Sequence, residues 1–506
     1  MNTTSGSLRY DISLGMRLLR AIPVVLAYFG IAMLCFLFLP SKAREIPLES
    51  LAVVGLIGAW RYLWLLTHCV RALLYEHLVY PKIQFEAGNL PERLKYPQRM
   101  FFVIPTFGEK PDVSRSMLNS VMTEIALIPS EITIFVNAGS EAEDDLFREV
   151  HAAHSQRDRV QLHYIRQQGG KRQGMADVLH ELAAYDVEDS DIVALMDGDT
   201  VLGPGILEKC LPLFALRPAL TAVTTDNISV TTGNWLYRKW YTLRFSMRHR
   251  YMKSLSLSKQ LQVLTGRFSL FRATECVADD FIDSLENDRI KHWLHGEIQF
   301  VTGDDKSTWF TLLKKGGEML YVPDAYIFCM EDSGPQPVRM SIKKMHRWFG
   351  NMLRNNGRVI RLGMGAQKPF VWWCHVDQRL SMWTSLMGPI AAIWASLWLS
   401  PYYLLIYAIL VIIVRTMYIL LLTLEGHRLS LMDIPMLLYT QWVGSAVKVY
   451  TLFHLHHQKW DAHRQDASGK KGQGEPFLDF LIPKLQIAFS ATVLLLFIIS
   501  IVGTKT

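Results

Sequence analysis

Cysteine is scarce in this sequence, and the few cysteines form neither a metal-binding nor a disulfide pattern. The chain of 506 residues has 6 cysteines, and no two of them are spaced as CxxC. Scattered thiols are typical of reduced, structural cysteines, so the sequence predicts neither a disulfide framework nor a structural zinc site. Helix-turn-helix, zinc-finger and RNA-binding signatures are also lacking. The net charge of +7 therefore favours anionic lipid or an acidic substrate over nucleic acid.

Long apolar runs are missing from the middle of the chain and frequent at both ends. Between Lys82 and Asp377 no run approaches the ~20 residues that a bilayer core requires. The runs that do approach or exceed this length are 18–39, 51–79, 380–399, 402–424 and 481–502. The predicted domains are two N-terminal spans in 1–80, a soluble block in 81–338, amphipathic interface helices in 339–378 and C-terminal spans in 379–506.

Basic residues near the apolar runs predict the orientation of the chain. The run 18–39 is too long for a signal peptide, lacks a small-residue cleavage site and is followed closely by a second run. The basic residues before and at its N-terminal end are Arg9, Arg17 and Arg20. The positive-inside rule places the N-terminus and residues 81–338 in the cytoplasm. It also disfavours an external basic loop 459–471, so residues 431–455 are predicted to be re-entrant or interfacial.

The block 81–338 alternates apolar runs with helical patterns. The predicted strands are 100–104, 132–136, 160–165 and 192–196, and the helical patterns between them are 114–127, a segment from 140, and 175–185. This alternation predicts a doubly wound α/β sheet. Because ligands bind beyond the carboxyl ends of such strands, the site is expected at the polar segments 106–109, 137–140 and 197–199.

Two carboxylate pairs are candidates for chemistry. Asp197 and Asp199 follow a predicted strand, and two carboxylates at this spacing can share Mg²⁺ or Mn²⁺ on the phosphates of a sugar nucleotide. The alternative is an ordinary Asp-Gly turn. Asp304 and Asp305 precede a helical pattern at 307–315, where a carboxylate can act as general base on a hydroxyl. The alternative there is a helix start with acidic first-turn residues.

The ordered motifs, flanked by membrane spans, resemble a known family. They are PTFGE (105–109), NAGS (137–140), GKR (170–172), DGD (197–199), LTGRFS (264–269), TGDD (302–305) and RW (347–348). This order is similar to that of processive family-2 glycosyltransferases, which include cellulose, chitin and hyaluronan synthases. The resemblance runs from about residue 100 to 361. It implies a GT-A-type α/β domain inserted between transmembrane helices, and single-displacement inverting transfer.

The resemblance also implies roles for individual residues. Asp197 and Asp199 would hold the metal, and Asp305 would be the general base with Asp304 beside it. The residues implied for the donor nucleotide and diphosphate are Thr106, Glu109, Asn137, Lys171, Asp197, Arg347, Trp460 and Arg464. Those implied for the acceptor are Thr265, Gly266, Arg267, Lys344 and Trp348.

Two segments near the spans carry alternative interpretations. Residues 340–361 are basic with apolar residues at helical spacing, which predicts a helix at the cytoplasmic membrane face or a packed surface helix. Trp460 and Arg464 resemble the Trp–Arg gating loop of hyaluronan synthases with one extra residue between them. The alternative for the second segment is a plain cytoplasmic basic loop.

Departures from the family pattern favour an acidic polymer. Asn137 stands where the family usually has aspartate, and Lys344 replaces the glutamine of Gln-x-x-Arg-Trp, which favours a sugar with a carboxylate. Arg61 and Arg415 lie inside apolar runs, where arginines usually face a bundle interior. They are predicted to line a channel for a polyanionic chain. Pairing with an internal acid and snorkelling are the alternatives.

Four segments resemble the mannuronan synthases within this family. They are FVNAGSE (135–141), VTGDDKSTWF (301–310), MLYVPD (319–324) and RWFGNMLRNNGR (347–358). The resemblance implies GDP-mannuronate as donor, β-1,4-linked polymannuronate as product, a bacterial inner membrane, a separate cyclic-di-GMP-binding membrane subunit and periplasmic export proteins. The alternatives are a hyaluronan- or chitin-type synthase using UDP-sugars, a non-processive lipid-linked transferase, and an inactive export scaffold.

Overall fold

The computed structural model describes residues 13–41, 43, 52–292, 295–458 and 477–503. The helices are α1 (Leu14–Leu37), α2 (Ala52–Leu74), α3 (Tyr80–Gly88), α4 (Glu92–Lys95), α5 (Pro111–Ile125), α6 (Glu141–Ala153), α7 (Lys171–Leu182), α8 (Ile206–Cys210), α9 (Pro212–Leu216), α10 (Trp235–Ser256), α11 (Ala273–Cys276), α12 (Asp279–Glu286), α13 (Asp304–Lys314), α14 (Pro337–Leu362), α15 (Pro369–Trp398), α16 (Tyr402–Leu424), α17 (Asp433–Phe453) and α18 (Phe477–Gly503). The strands are β1 (Arg99–Thr106), β2 (Glu131–Ala138), β3 (Val160–Arg166), β4 (Ile192–Met196), β5 (Thr200–Leu202), β6 (Leu220–Thr232), β7 (Phe268–Arg272), β8 (Arg289–His292), β9 (Gly296–Gln299) and β10 (Glu318–Asp332).

Eight strands form one mixed sheet in the order β3-β2-β1-β4-β7-β6-β10-β5. The half made of β3, β2, β1 and β4 is parallel, with helices between its strands. In the other half β7 runs antiparallel to β4 and β6, while β10 is parallel to β6 and antiparallel to β5. The predicted α/β domain is confirmed, and the four predicted strands are the parallel half.

Strand β1 shows why these runs are apolar throughout. Phe102 and Ile104 lie in a core on one face of the sheet, with residues of α5. Phe101 and Val103 lie in a second core on the other face, with residues of α7. Alternate side chains of a strand point to opposite faces, so a strand covered on both sides needs apolar residues at every position. Burial of each such side chain contributes roughly 1.5–3 kcal/mol.

Four helices in the described part of the chain are long and apolar enough to cross a membrane. They cover Gly15–Leu37, Pro369–Trp398, Tyr402–Leu424 and Leu481–Ser500. The predicted second span is helix α2, which is not among the four, and its arginines Arg61 and Arg71 lower its hydropathy. A π-helical turn, Tyr75–Val79, follows it. Four of the five predicted spans therefore coincide with helices of membrane length, and the third of these begins earlier than predicted, at Pro369.

Helices α14 and α17 pack against each other between the sheet domain and the apolar helices. Met345 and Phe349 of α14 are buried in a cluster with Trp240 of α10 and residues of α17. The predicted amphipathic helix is thus a packed helix, and its position at a membrane surface stays a prediction. Helix α17 covers most of the segment predicted to be re-entrant and is not among the four membrane-length apolar helices.

Candidate active site

The Asp-Gly-Asp motif leaves the sheet directly after β4. A Cβ on Gly198 would lie 2.9 Å from Thr106 Cβ, so glycine is required where this turn passes the end of β1. The backbone N–H of Asp197 donates to the carbonyl oxygen of Arg267 over 3.0 Å. This bond joins the motif to the segment 264–269, here called the predicted acceptor loop. Asp197 and Asp199 side chains are 29% and 26% exposed, and both line a cavity of about 1080 Å³.

Lys171 joins the two carboxylate pairs at the first residue of α7. Its Nζ lies 2.7 Å from Asp197 Oδ1 and donates to Asp304 Oδ2 over 2.7 Å. Burial disfavours its ammonium charge, but the two carboxylates outweigh burial and raise the pKa of Lys171. Sequence reasoning placed Lys171 on the nucleotide. The structure places its charge between the predicted metal pair, Asp197 and Asp199, and the loop 302–305, here called the base loop. Lys171 lies on the wall of the same cavity.

The base loop enters α13 with a left-handed glycine. Gly303 has φ +86°, and a Cβ there would lie 2.8 Å from Asn351 Cγ on α14, so only glycine fits. A Cβ on Gly266 would lie 3.3 Å from Asp305 Cβ. The predicted acceptor loop therefore packs directly on the predicted base.

Asp304 and Asp305 differ in their electrostatic surroundings. Burial opposes ionisation of Asp304, but Lys171 and Arg172 outweigh it and lower the pKa of Asp304. Burial and the charge of Asp304 raise the pKa of Asp305 to about 6, with Lys306 and Lys171 opposing that rise. A carboxylate whose pKa lies near the working pH is the more effective proton acceptor. Asp304 is ion-paired with Lys171, and the role of Asp305 as the base stays a prediction.

Transfer activity is expected to rise with pH through about 6, the raised pKa of Asp305. A raised carboxyl pKa means that Asp305 is protonated, and unable to accept a proton, below that value. The measurement is kcat against pH at saturating donor from about pH 5 to pH 8. A rate that is flat across this range would contradict the base assignment.

Glu143, which sequence reasoning missed, contacts the loops after β1 and β2, where donor binding is predicted. Its carboxylate accepts from the N–H groups of Gly108 (2.7 Å) and Gly139 (3.0 Å) and from the Thr106 hydroxyl (3.2 Å). Ser140 caps α6 by accepting from the Glu143 N–H over 3.4 Å. The available signal was the capping box Ser-x-x-Glu at 140–143. Glu143 thus ties the loops after β1 and β2 together.

The side chains that line the cavity near Glu143 differ from those predicted. Asn137 is fully buried, its amide donates to Ile165 O over 3.2 Å, and a Cβ on Gly174 would lie 1.9 Å from its Oδ1. It does not line the cavity; Gln167, which donates to Asn137 Oδ1 over 3.0 Å, does. Phe107 is 43% exposed on the cavity wall and was not predicted.

A second carboxylate that was not predicted, Glu331 at the end of β10, contacts two residues predicted for the acceptor, Arg267 and Lys344. Arg267 Nη2 donates to it over 2.6 Å, Tyr241 donates over 2.8 Å, and Lys344 also bonds to it. Burial is outweighed by Arg267 and Lys344, so the pKa of Glu331 is lowered. Arg267 also lies 3.2 Å from Asp199. Lys344, predicted to face the acceptor, is thus already ion-paired.

The remaining residues predicted for the donor diphosphate and for the acceptor fall into two places. Thr265 is buried, where its hydroxyl accepts from Asn227 and its N–H donates to Thr224, so it anchors the loop and does not line the cavity. Arg347 lines the cavity. Trp348 lies off the cavity wall and stacks on Trp240, with ring centroids 6.0 Å apart and planes 15° apart.

The carboxylates around the Asp-Gly-Asp turn suit a hard divalent cation. Glu109 lies close to Asp199 and Asp197, and burial together with these two charges raises its pKa to about 7. Crowded carboxylates that are partly exposed to one cavity are the oxygen ligands that Mg²⁺ and Mn²⁺ prefer. Asp197 and Asp199 would hold the ion, and Glu109 lies beside them.

The remaining predictions concern the helices and the basic loop. Arg61 is ion-paired with Asp377 of α15, and Arg415 donates to Gln441 of α17. Pairing with an internal acid, one of the stated alternatives, is therefore found for Arg61. Trp460 and Arg464 lie outside the described residues, which end before the loop at Gln458.

Comparison with known proteins places this sequence in a family. Residues 97–351 match the family described as Glycosyltransferase like family 2. The chain is 35% identical over 416 residues to "Glycosyltransferase alg8" of Pseudomonas syringae pv. tomato, covering 82% of this chain and 84% of the relative. It is 34% identical over 445 residues to "Glycosyltransferase alg8" of Azotobacter vinelandii, covering 87% and 89%.

The solved mannosyltransferase PcManGT from Pyrobaculum calidifontis, in complex with GDP-Man and Mn²⁺, aligns with 79% of this chain and 98% of its own. It has 14% sequence identity and a TM-score of 0.43. The family match over half of the chain and the two relatives over most of it lead to one conclusion: the chain belongs to the family-2 glycosyltransferases.

Proposed function

We propose that this glycosyltransferase polymerises GDP-mannuronate into β-1,4-linked polymannuronate, the precursor of alginate, and passes the growing chain through its own helices. The observation that carries the proposal is a row of basic side chains leading from Asp305 into the helix bundle. The relatives named alg8 and the mannuronan-synthase segments in the sequence support the same donor.

The chemistry follows from the placement of the carboxylates. Asp305 accepts the proton of the acceptor hydroxyl, whose oxygen bonds to the anomeric carbon while the bond to the diphosphate breaks and GDP leaves. One displacement inverts the anomeric carbon, so an α-linked donor yields a β-linked chain. Arg347, on the cavity wall, offsets charge on the leaving group. Mg²⁺ or Mn²⁺ bound at Asp197 and Asp199 would neutralise the diphosphate.

The donor base has an aromatic surface available. Phe107 is exposed at the cavity, and its ring packs so closely on Gly139 that a Cβ there would lie 2.3 Å from Phe107 Cδ2. A ring held in this way offers one face for stacking on a purine. On the acceptor side, Trp348 is half-buried and stacks on the buried Trp240, and its ring would carry an acceptor sugar beside the cavity.

The basic row begins beside the catalytic base. Lys306 follows Asp305 in sequence and lies within electrostatic range of it and of Arg248; burial lowers the pKa of Lys306 to about 8. The Nη1 and Nη2 atoms of Arg248 are buried with no hydrogen-bond partner among the described residues. A buried guanidinium without partners is costly, and a carboxylate would supply the missing acceptor.

The row continues along α10 and α17. The Arg244 guanidinium lies 4.9 Å from the Trp348 ring centre and 5.8 Å from that of Phe349, and the Lys448 ammonium lies 4.9 Å from the Phe349 ring. Lys448 is within electrostatic range of Arg244, Arg61 and one acid, Asp377. Cations outnumber acids along this path. A chain carrying one carboxylate per sugar would supply counter-charges to these cations, whereas a neutral glucan would supply none.

Several further parts of the proposal rest on the positive-inside rule and on family resemblance. The N-terminus and the catalytic domain face the cytoplasm, and the four apolar helices hold the enzyme in a bacterial inner membrane. A separate cyclic-di-GMP-binding membrane subunit regulates it, and periplasmic proteins export the chain. The predicted gating residues Trp460 and Arg464 would close over the donor.

Lys448→Glu is expected to lower the yield of polymer by at least about tenfold, because a carboxylate in the path repels the chain. Lys448→Met, which removes only the charge, should have a smaller effect. The measurement is polymer accumulation inside vesicles that contain purified enzyme. Lys314→Glu, at an exposed lysine of α13, is the control and should behave as wild type. Unchanged yield from Lys448→Glu would contradict the cationic path.

The donor itself is tested with purified enzyme in lipid vesicles. GDP-mannuronate, UDP-glucose, and UDP-glucuronate together with UDP-N-acetylglucosamine are offered separately. The expected result is incorporation into polymer from GDP-mannuronate alone. Incorporation only from a UDP-sugar would overturn the donor assignment, and a product that extracts into organic solvent would indicate a lipid-linked transferase.

A further inference from the structure

The segment after α17 contacts the approach to the base loop through one side-chain amide. Gln458 Nε2 donates to the carbonyl oxygen of Gln299 over 2.9 Å, and its Oε1 accepts from the backbone N–H of Val301 over 3.1 Å. Both halves of the amide therefore bond to the backbone on either side of Phe300, as a neighbouring strand would. Val301 is followed directly by Thr302-Gly303-Asp304-Asp305.

Arg354 of α14 joins the same segment to the base loop. Its Nη1 donates to the carbonyl oxygen of Leu455 over 3.0 Å, and its Nη2 donates to the Thr302 hydroxyl over 3.2 Å. Arg354 is 3% exposed, so these bonds are shielded from water. Thr302 also donates to Asn351 over 2.7 Å. Residues 455–458 and α14 therefore hold the loop from two sides.

The helix that ends in this segment also borders the proposed path of the polymer. Val443, Val447 and Tyr450 of α17 line the cavity that contains Asp197 and Asp199. Lys448 lies on the same helix, over the Phe349 ring. Helix α17 thus borders the cavity, and the segment that follows it contacts the approach to the base loop.

We propose that Gln458 is a positioning residue that couples α17 to the catalytic base. A displacement of α17 by polymer in the path changes the backbone at Gln299 and Val301, and with it the position of Asp305 relative to the acceptor hydroxyl. Occupancy of the path and readiness for the next transfer are linked in this way. The inference rests on the proposed polymerase function.

Gln458→Ala removes both backbone bonds, and Gln458→Glu, of equal size, replaces the donor to Gln299 by an acceptor. Both variants are expected to lower kcat roughly tenfold, because misplacement of a reacting group costs rate without affecting donor affinity. The KM for GDP-mannuronate should stay within about twofold. Hydrogen exchange at the Val301 amide should become about fivefold faster in enzyme without substrate.

Gln156→Ala is the matched control, because it removes a bond from Arg159 (2.9 Å) at the exposed surface of the same domain. It should leave kcat and exchange at Val301 unchanged. Wild-type kcat and wild-type exchange in both Gln458 variants would overturn the inference, as would failure of both to fold, which would show a structural role only. Hydrogen exchange is measured without turnover, so it tests this inference separately from polymer synthesis. Absence of polymer from the wild-type enzyme would contradict the proposed function instead.

Discussion

Replacement of Asp305 by asparagine is expected to lower the polymerisation rate about 10²- to 10⁴-fold, the range over which a general base contributes. The amide cannot accept the proton of the acceptor hydroxyl. Asp305 is the better candidate of the two adjacent carboxylates because its pKa is raised to about 6, whereas Lys171 and Arg172 outweigh burial and lower the pKa of Asp304. Initial rates of GDP release and polymer formation measure the effect.

Donor binding is the control for the Asp305→Asn variant. Titration calorimetry should give an affinity for GDP within about twofold of wild type, because the variant keeps the metal pair and Lys171. Asp280→Asn, at a surface carboxylate paired with Lys315, should retain full activity. A normal polymer yield from Asp305→Asn would refute the base assignment.

Asp199→Asn is expected to remove the enhancement of donor binding by Mg²⁺ or Mn²⁺ and to lower the polymerisation rate at least about a hundredfold. An amide is a weaker ligand than a carboxylate for a hard cation. The substitution also takes away a partner of Arg267, which lies 3.2 Å from Asp199. The measurement is GDP affinity with and without each divalent ion.

The metal assignment would be contradicted if divalent ions raised the GDP affinity of Asp199→Asn as much as they raise that of the wild type. The Asp280→Asn variant again provides the comparison, since it removes a carboxylate from the same domain without touching the cavity. Circular dichroism of both variants would separate loss of metal binding from loss of fold.

Three strands of the parallel half, β1, β2 and β4, were predictable because they are buried on both faces. The predicted strand 192–196 agrees with β4, residue for residue. Strand β6 was not predicted, because its centre carries the polar residues Asp226 and Asn227. Hydrogen bonds compensate their burial: Tyr321 donates to Asp226 over 2.8 Å, and Asn227 donates to Thr265 over 3.1 Å. These partners meet only in the folded chain.

The motifs of the candidate site were predictable from the sequence, but the contacts between its side chains were not. The rule that polar residues after a strand face the site holds for Asp197 and Asp199 but not for Asn137, which packs against Gly174. Lys171 is 133 residues from Asp304 in sequence, and only the fold brings the two together. Glu331 lies near the carboxyl end of β10, a strand that was not predicted, so the strand-end rule was not applied there.

The central claim is inverting polymerisation of GDP-mannuronate, and the structure of the product tests it most directly. Purified enzyme in vesicles is given α-linked GDP-mannuronate with Mg²⁺ or Mn²⁺, and the polymer is examined by NMR for its sugar, linkage and anomeric configuration. The expected product is a 1,4-linked polymannuronate with β configuration throughout. An α-linked product would contradict the single displacement by Asp305, and a polymer of any other sugar would contradict the donor.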